Sequence, residues 1–103
     1  PYLVIAGVLA AALDGIKRKL EAPADAVGMA YDNENAPELP STLTAALDAL
    51  EANANLHEQM SKELVEVFLV MKRDEVARYE AAVKDPSTRD VTQWEIDEYF
   101  ADY

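Results

Sequence analysis

PYLVIAGVLAAALDGIKRKL, residues 1–20, decides how this 103-residue chain is read. From Tyr2 to Leu13 there is no charge, only aliphatic residues, one Tyr and one Gly. Pro1 suits the first turn of a helix, where a missing N–H costs nothing. Lys17, Arg18 and Lys19 fall in the last turn, where cations oppose the negative end of the helix dipole. These signals predict a helix over about residues 2–20, ended by Pro23. At 1.5 Å per residue its uncharged part is close to 20 Å long. A surface helix shows one apolar stripe; this one is apolar all round and wants burial on every side. Gly7 and Gly15 each cost about 1 kcal/mol of helix propensity. Set among Ala6 and Ala10 to Ala12, Gly7 leaves room for another backbone to come close.

The rest of the chain offers little to cover that helix. Residues 22–40 hold three of the five prolines, Gly28 and a polar DNEN tract, which reads as a loop. Loops of that length inside compact domains are uncommon and tend to be functional. Ser41 or Thr42 caps a second helix, about residues 42–54. Within it Leu43, Ala46, Leu47 and Leu50 make one apolar stripe at i, i+3, i+4 and i+7. Asn53 and Asn55 weaken the helix, so the stretch to Met60 reads as a frayed continuation or a turn. A longer helix follows over about 62–84, with Leu64, Phe68, Met71 and Val76 near one face and Val65, Leu69, Tyr79 and Val83 broadening it. After a turn at residues 85–90, Thr92 and Glu95 form a capping box with Val91 and Ile96 placed as its hydrophobic staple. The last helix, about 93–101, sets Trp94, Tyr99 and Phe100 among acids, with Tyr103 just beyond. The expected architecture is all-α, about four helices, with no strand, repeat or second domain.

Charge narrows the function classes. The net charge is −11, from twenty acids against nine bases. Nucleic-acid binding needs a Lys/Arg footprint and is excluded; so is docking on anionic lipid. The apolar run is also shorter than the roughly 20 residues that span a bilayer. Residues 1–20 carry +2, residues 21–60 carry eight acids and no base, and residues 85–103 carry −5. Such acidic stretches read as solvated faces. The chain has no Cys, which fits a cytoplasmic setting. With Pro1 and no initiator Met, it reads as a piece cut from a longer chain.

No constellation carries catalytic chemistry. His57 is the sole histidine, on a polar stretch, and a zinc site needs about four ligands. The loop Asp32, Asn33, Glu34, Asn35, Glu38 lacks the glycine and bidentate glutamate of a calcium loop. Glu63 with Glu66, and Asp74 with Glu75, sit amid Lys62, Lys72, Arg73 and Arg78 at the spacing of helix-surface ion pairs. Neither a phosphate-binding Gly loop nor a nucleophile elbow is present.

Specific residues do resemble a known family. The opening stretch is similar to the helix that closely follows the catalytic core of glutamine synthetases, which begins Asn-Pro-Tyr-Leu and ends Leu-Asp-Gly-Ile-Lys. Pro1, Tyr2, Leu3, Ala11, Leu13, Asp14, Gly15, Ile16 and Lys17 match it. Further on come AYD in the loop, LPSTLTAALDAL (39–50), VMKRDEVARYEAAV (70–83) and VTQWEIDEYFADY (91–103), in the family's order.

The resemblance implies that residues 1–103 are the C-terminal helical part of a glutamine synthetase-type α/β catalytic domain. The parent enzyme would use ATP and Mg2+ or Mn2+ to join glutamate to ammonia or another amine. Its catalytic, nucleotide and metal motifs lie before the opening helix, so none falls on this chain. The implied partners are the rest of the catalytic domain and further copies, as a dodecamer of stacked hexamers. Tyr31 stands near a tyrosine that some bacterial members adenylylate, although Met29, Ala30, Asn33 and Glu34 depart from the regulated pattern. Trp94, Tyr99, Phe100 and Tyr103 resemble the terminal element that reaches into the opposite ring; the other reading is a helix folded on its own core. The alternative for the whole chain is a stand-alone acidic helical oligomerisation or interaction module.

Overall fold

A computed structural model describes residues 1–25, 27–29 and 37–100. Among them the architecture is all-α, with five helices: α1 Tyr2–Arg18, α2 Leu43–Ala52, α3 Ala54–Met60, α4 Lys62–Ala82 and α5 Gln93–Phe100.

The first helix stops at Arg18, five residues before Pro23. Lys19 turns left-handed there (φ 52°, ψ 45°). The N–H of Leu20 then reaches the carbonyl of Gly15, and that of Lys19 the carbonyl of Ile16. This pair of bonds is a Schellman motif, which satisfies the last carbonyls and leaves Pro23 nothing to terminate.

Asn53 does more than weaken a helix. Its Oδ1 accepts the N–H of Leu56 at 3.2 Å, so it caps a separate helix, α3, where a frayed continuation was expected. Ser61 then breaks α3 from α4 with φ 76°. Its Oγ accepts the N–H of Leu64 at 3.3 Å and so starts the long helix. Thr42, and not Ser41, caps α2, its Oγ1 accepting the N–H of Ala45 at 3.1 Å.

The core is small and lies where α2 crosses the first half of α4. Leu47 and Val65 are 2 % exposed and Leu69 6 %, with Leu50, Met60, Phe68 and Val76 packed around them. Each fully buried aliphatic side chain of this kind contributes about 1.5–3 kcal/mol. The buried line of α4 is therefore Val65 and Leu69, while Leu64 and Met71, expected at its centre, stay exposed. Arg73 ties the outer edges of the two helices together, at 2.9 Å from Asp48 and 2.6 Å from Glu51.

The opening helix packs chiefly on α3, and the long helix takes α2 and α3 as its main neighbours. Gly7 faces Met60 across this contact, with the sulfur 4.0 Å from where a Cβ would stand. The radius of gyration is 16.9 Å, against about 13 Å for a compact domain of this length. The helices form an open bracket around a minimal core.

Candidate functional site

Two surfaces stand out. The first is the outer face of α1, a helix with Ala10 as its one buried residue. Tyr2 is 86 % exposed and Ile16 75 %, and Val4, Ile5, Val8 and Leu9 between them are all more than half exposed. Contiguous apolar surface of this extent marks an interaction site in a soluble protein. At its inner edge lies a groove of about 320 Å3 lined by Leu3, Val4, Gly7, Leu50, Leu56, Met60 and Phe68 among others. The all-round apolar sequence is thus only partly satisfied within the described residues.

The second surface is α5 against the far half of α4. The capping box forms as expected: the N–H of Thr92 donates to Glu95 Oε2 at 2.7 Å, and the N–H of Glu95 to Thr92 Oγ1 at 3.2 Å. The Thr92 N–H, with the Thr92 hydroxyl donating to the same Oε2 at 2.8 Å, holds the Glu95 carboxyl below its ordinary value. The staple contributes little, since Val91 is 76 % exposed.

Trp94 meets Tyr79 edge-on, with centroids 5.3 Å apart, and Tyr99 edge-on at 6.2 Å. The guanidinium of Arg78 sits 5.8 Å from the Trp94 ring centroid and binds Glu98 at 2.7 Å and Asp74 at 3.0 Å. Tyr99 donates its hydroxyl hydrogen to Glu75, which also accepts from Lys72 at 2.6 Å. Burial pushes the Glu75 carboxyl up, but the bonds from Lys72 and Tyr99 and the charges of Lys72 and Arg78 together hold it below its ordinary value. Burial first, then the bond to Glu75, pushes the Tyr99 phenol well above its ordinary value.

Of the residues singled out in the sequence, Trp94 and Tyr99 come together on α4. Phe100 is 84 % exposed. Tyr31 and Tyr103 lie outside the described residues. Sequence reading passed over Arg78 and Glu75 as parts of the long helix's surface and took Tyr79 only as a broadening of its apolar face. Arg78 stands four residues after Asp74, the signal of a local pair, and its partners on α5 have no signature at that range.

His57 donates from Nε2 to the carbonyl of Leu50 at 3.0 Å, a structural bond between α2 and α3. Among the described residues no three His, Cys, Asp or Glu side chains gather where they could hold a metal ion. The carboxylates are dispersed over helix surfaces, and those of Asp14, Asp48, Glu51, Asp74, Glu75 and Glu98 lie within ion-pair distance of Lys or Arg. No helix among them is long and apolar enough to cross a membrane.

What these features define is an all-α segment with an open apolar helix at one side and an aromatic, ion-paired helix at the other. It belongs to the glutamine synthetase family: residues 1–99 match glutamine synthetase, catalytic domain. The chain is 38 % identical to a γ-glutamylanilide synthase of Acinetobacter, over 97 % of its own length and 20 % of that protein. It is 38 % identical to a glutamine synthetase of Methanococcus maripaludis, over 86 % of the chain and 22 % of that protein. With a γ-glutamylethanolamide synthetase of Streptomyces coelicolor it shares 36 % identity, over 82 % of the chain and 18 % of the relative. The chain thus spans about a fifth of the length of these curated relatives. No solved structure matches it.

Proposed function

We propose that this chain is the C-terminal helical portion of a glutamine synthetase-type ATP-dependent ligase and acts there as structure. The whole enzyme joins glutamate to ammonia or an amine, giving a γ-glutamyl amide, ADP and phosphate. One observation carries the reading: α1 leaves most of its apolar side chains open, and burying such a face against the rest of a catalytic domain is what stabilises it. The likeness to anilide and ethanolamide synthases as well as to glutamine synthetases supports an acceptor drawn from ammonia and amines.

In this reading ATP and Mg2+ or Mn2+ are held by residues of the parent outside this chain. The partners of the segment are the rest of its domain and other copies of the enzyme, in a dodecamer of stacked hexamers within the cytoplasm. The aromatic end of α5, with Phe100 outermost, is the element offered to a neighbouring copy. A stand-alone acidic oligomerisation module draws on the same open face of α1; the family match over residues 1–99 favours the ligase.

The test is an assay of the 103-residue chain with glutamate, ATP, Mg2+ and ammonia or hydroxylamine, reading phosphate release. Release no faster than a protein-free blank is expected. Steady turnover by the chain alone overturns the structural assignment.

A further inference from the structure

The last helix is joined to the fold more loosely than α1 to α4, standing outside the main helix–helix contacts. Like α3 it has no buried side chain, and it meets α4 through one ion pair, Arg78 to Glu98 at 2.7 Å, one hydroxyl bond, Tyr99 to Glu75, the edge contact of Trp94 with Tyr79, and the Arg78 guanidinium over the Trp94 ring. These attachments lie on the far half of α4. Leu69, the nearer of its buried residues, is nine residues before Arg78, roughly 14 Å along a helix, and only the partly buried Val76 carries the core toward the latch. Between the start of α2 at Thr42 and Leu43 and the Trp94 and Tyr99 side chains runs an open cleft of about 520 Å3, so α5 gains little from α2. An eight-residue helix is also too short to persist alone in water.

We propose that α5 is a latch, released and melted as one unit from the far half of α4 while the α2–α4 core stays folded. Local opening of this kind is drawn from regions with few buried apolar contacts. The latch has a direction. Closed, it engages Trp94 and Tyr99 with α4 and leaves Phe100 free; a partner that takes the Trp94 and Tyr99 edges must first displace Arg78, Tyr79 and Glu75. That consequence rests on the assembly reading above, whereas the latch itself does not.

Trp94 is the sole tryptophan and reports α5 directly. Urea titrations of the full 103-residue chain would follow Trp94 emission and far-ultraviolet circular dichroism together, at dilutions where neither signal depends on concentration. The concentration check separates the latch from assembly, whose failure leaves these curves unchanged. The emission maximum is expected to shift red at lower urea than the loss of helix signal. Arg78→Gln and Tyr99→Phe should move the emission transition further down and leave the main helix transition in place. Leu47→Ala should lower the helix transition instead. Coincident transitions in the parent chain, or equal movement of both signals in Arg78→Gln and Tyr99→Phe, overturn the latch. So does emission of a fully solvated indole in buffer.

Discussion

The phenol of Tyr99 donates a hydrogen bond to Oε1 of Glu75, twenty-four residues earlier and on the preceding helix. It joins the last helix to the long one, and both of its partners have displaced ionisation. Their directions set a pH window. The folded value of Glu75 is lowered from 4.5, so its contribution is whole above about that pH and is lost as the pH falls through the lower folded value. The folded value of Tyr99 is raised from 10.0, so its contribution is whole below that pH and is lost as the pH rises through the raised value. Trp94 emission against pH should therefore hold a plateau between these limits. Tyr99→Phe should remove the alkaline arm and weaken the acid one, since Glu75 reaches α5 through that hydroxyl; an alkaline arm that survives in Tyr99→Phe assigns the transition elsewhere.

Thr92 both accepts from the N–H of Glu95 and donates to its carboxylate. Thr92→Ala should cost about 1 kcal/mol at this helix start. Amide hydrogen exchange at residues 93–96 is the readout, and protection there unchanged by the substitution would show that the box contributes nothing.

Leu47 is the most enclosed side chain of α2, at 2 % exposure. Leu47→Ala should destabilise by about 2–5 kcal/mol, a large share of the 5–15 kcal/mol that holds an ordinary domain. Urea unfolding followed by circular dichroism measures it; a loss below about 0.5 kcal/mol would place the core elsewhere.

On α1 the expected result is the opposite. Val8 and Leu9 stand open, so Val8→Lys or Leu9→Lys should change the stability of the isolated chain by no more than about 0.5 kcal/mol. The same substitutions should reduce binding of an apolar dye. In a full-length ligase they should prevent assembly, because the proposed role buries this face there.

Gly7 meets only the Met60 sulfur, at ordinary contact distance. Gly7→Ala should raise the stability of the isolated chain by about 0.5–1 kcal/mol through helix propensity. A loss would mean that α1 and α3 approach more closely than this.

Local signals carried well from sequence to structure. Thr92 with Glu95, and Thr42 before the Ala-Leu stripe, are settled by residues three apart, and such motifs need no tertiary context. Asn53 and Ser61 were harder. Asn53 reads as a helix breaker until its side chain is seen capping Leu56, and Leu56 with Met60 at i, i+4 is the signal that marks α3. The buried face of α4 was ambiguous because apolar residues fill its circumference from Leu64 to Met71. Only the position of Leu47 selects Val65 and Leu69. For the same reason α1, apolar on every side, gave its helix but not its partner. The Arg78–Glu98 and Tyr99–Glu75 pairs span twenty or more residues, beyond the reach of spacing arguments.

The central claim is that these helices belong to a larger ligase whose chemistry lies outside them. The most direct test is the size of the native polypeptide, read by mass spectrometry after capture from the source cells with an antibody raised against residues 1–103. A chain about five times as long is expected, since these residues span 20 % of the γ-glutamylanilide synthase they resemble. Recovery of a 103-residue polypeptide alone would contradict the claim and favour the stand-alone module.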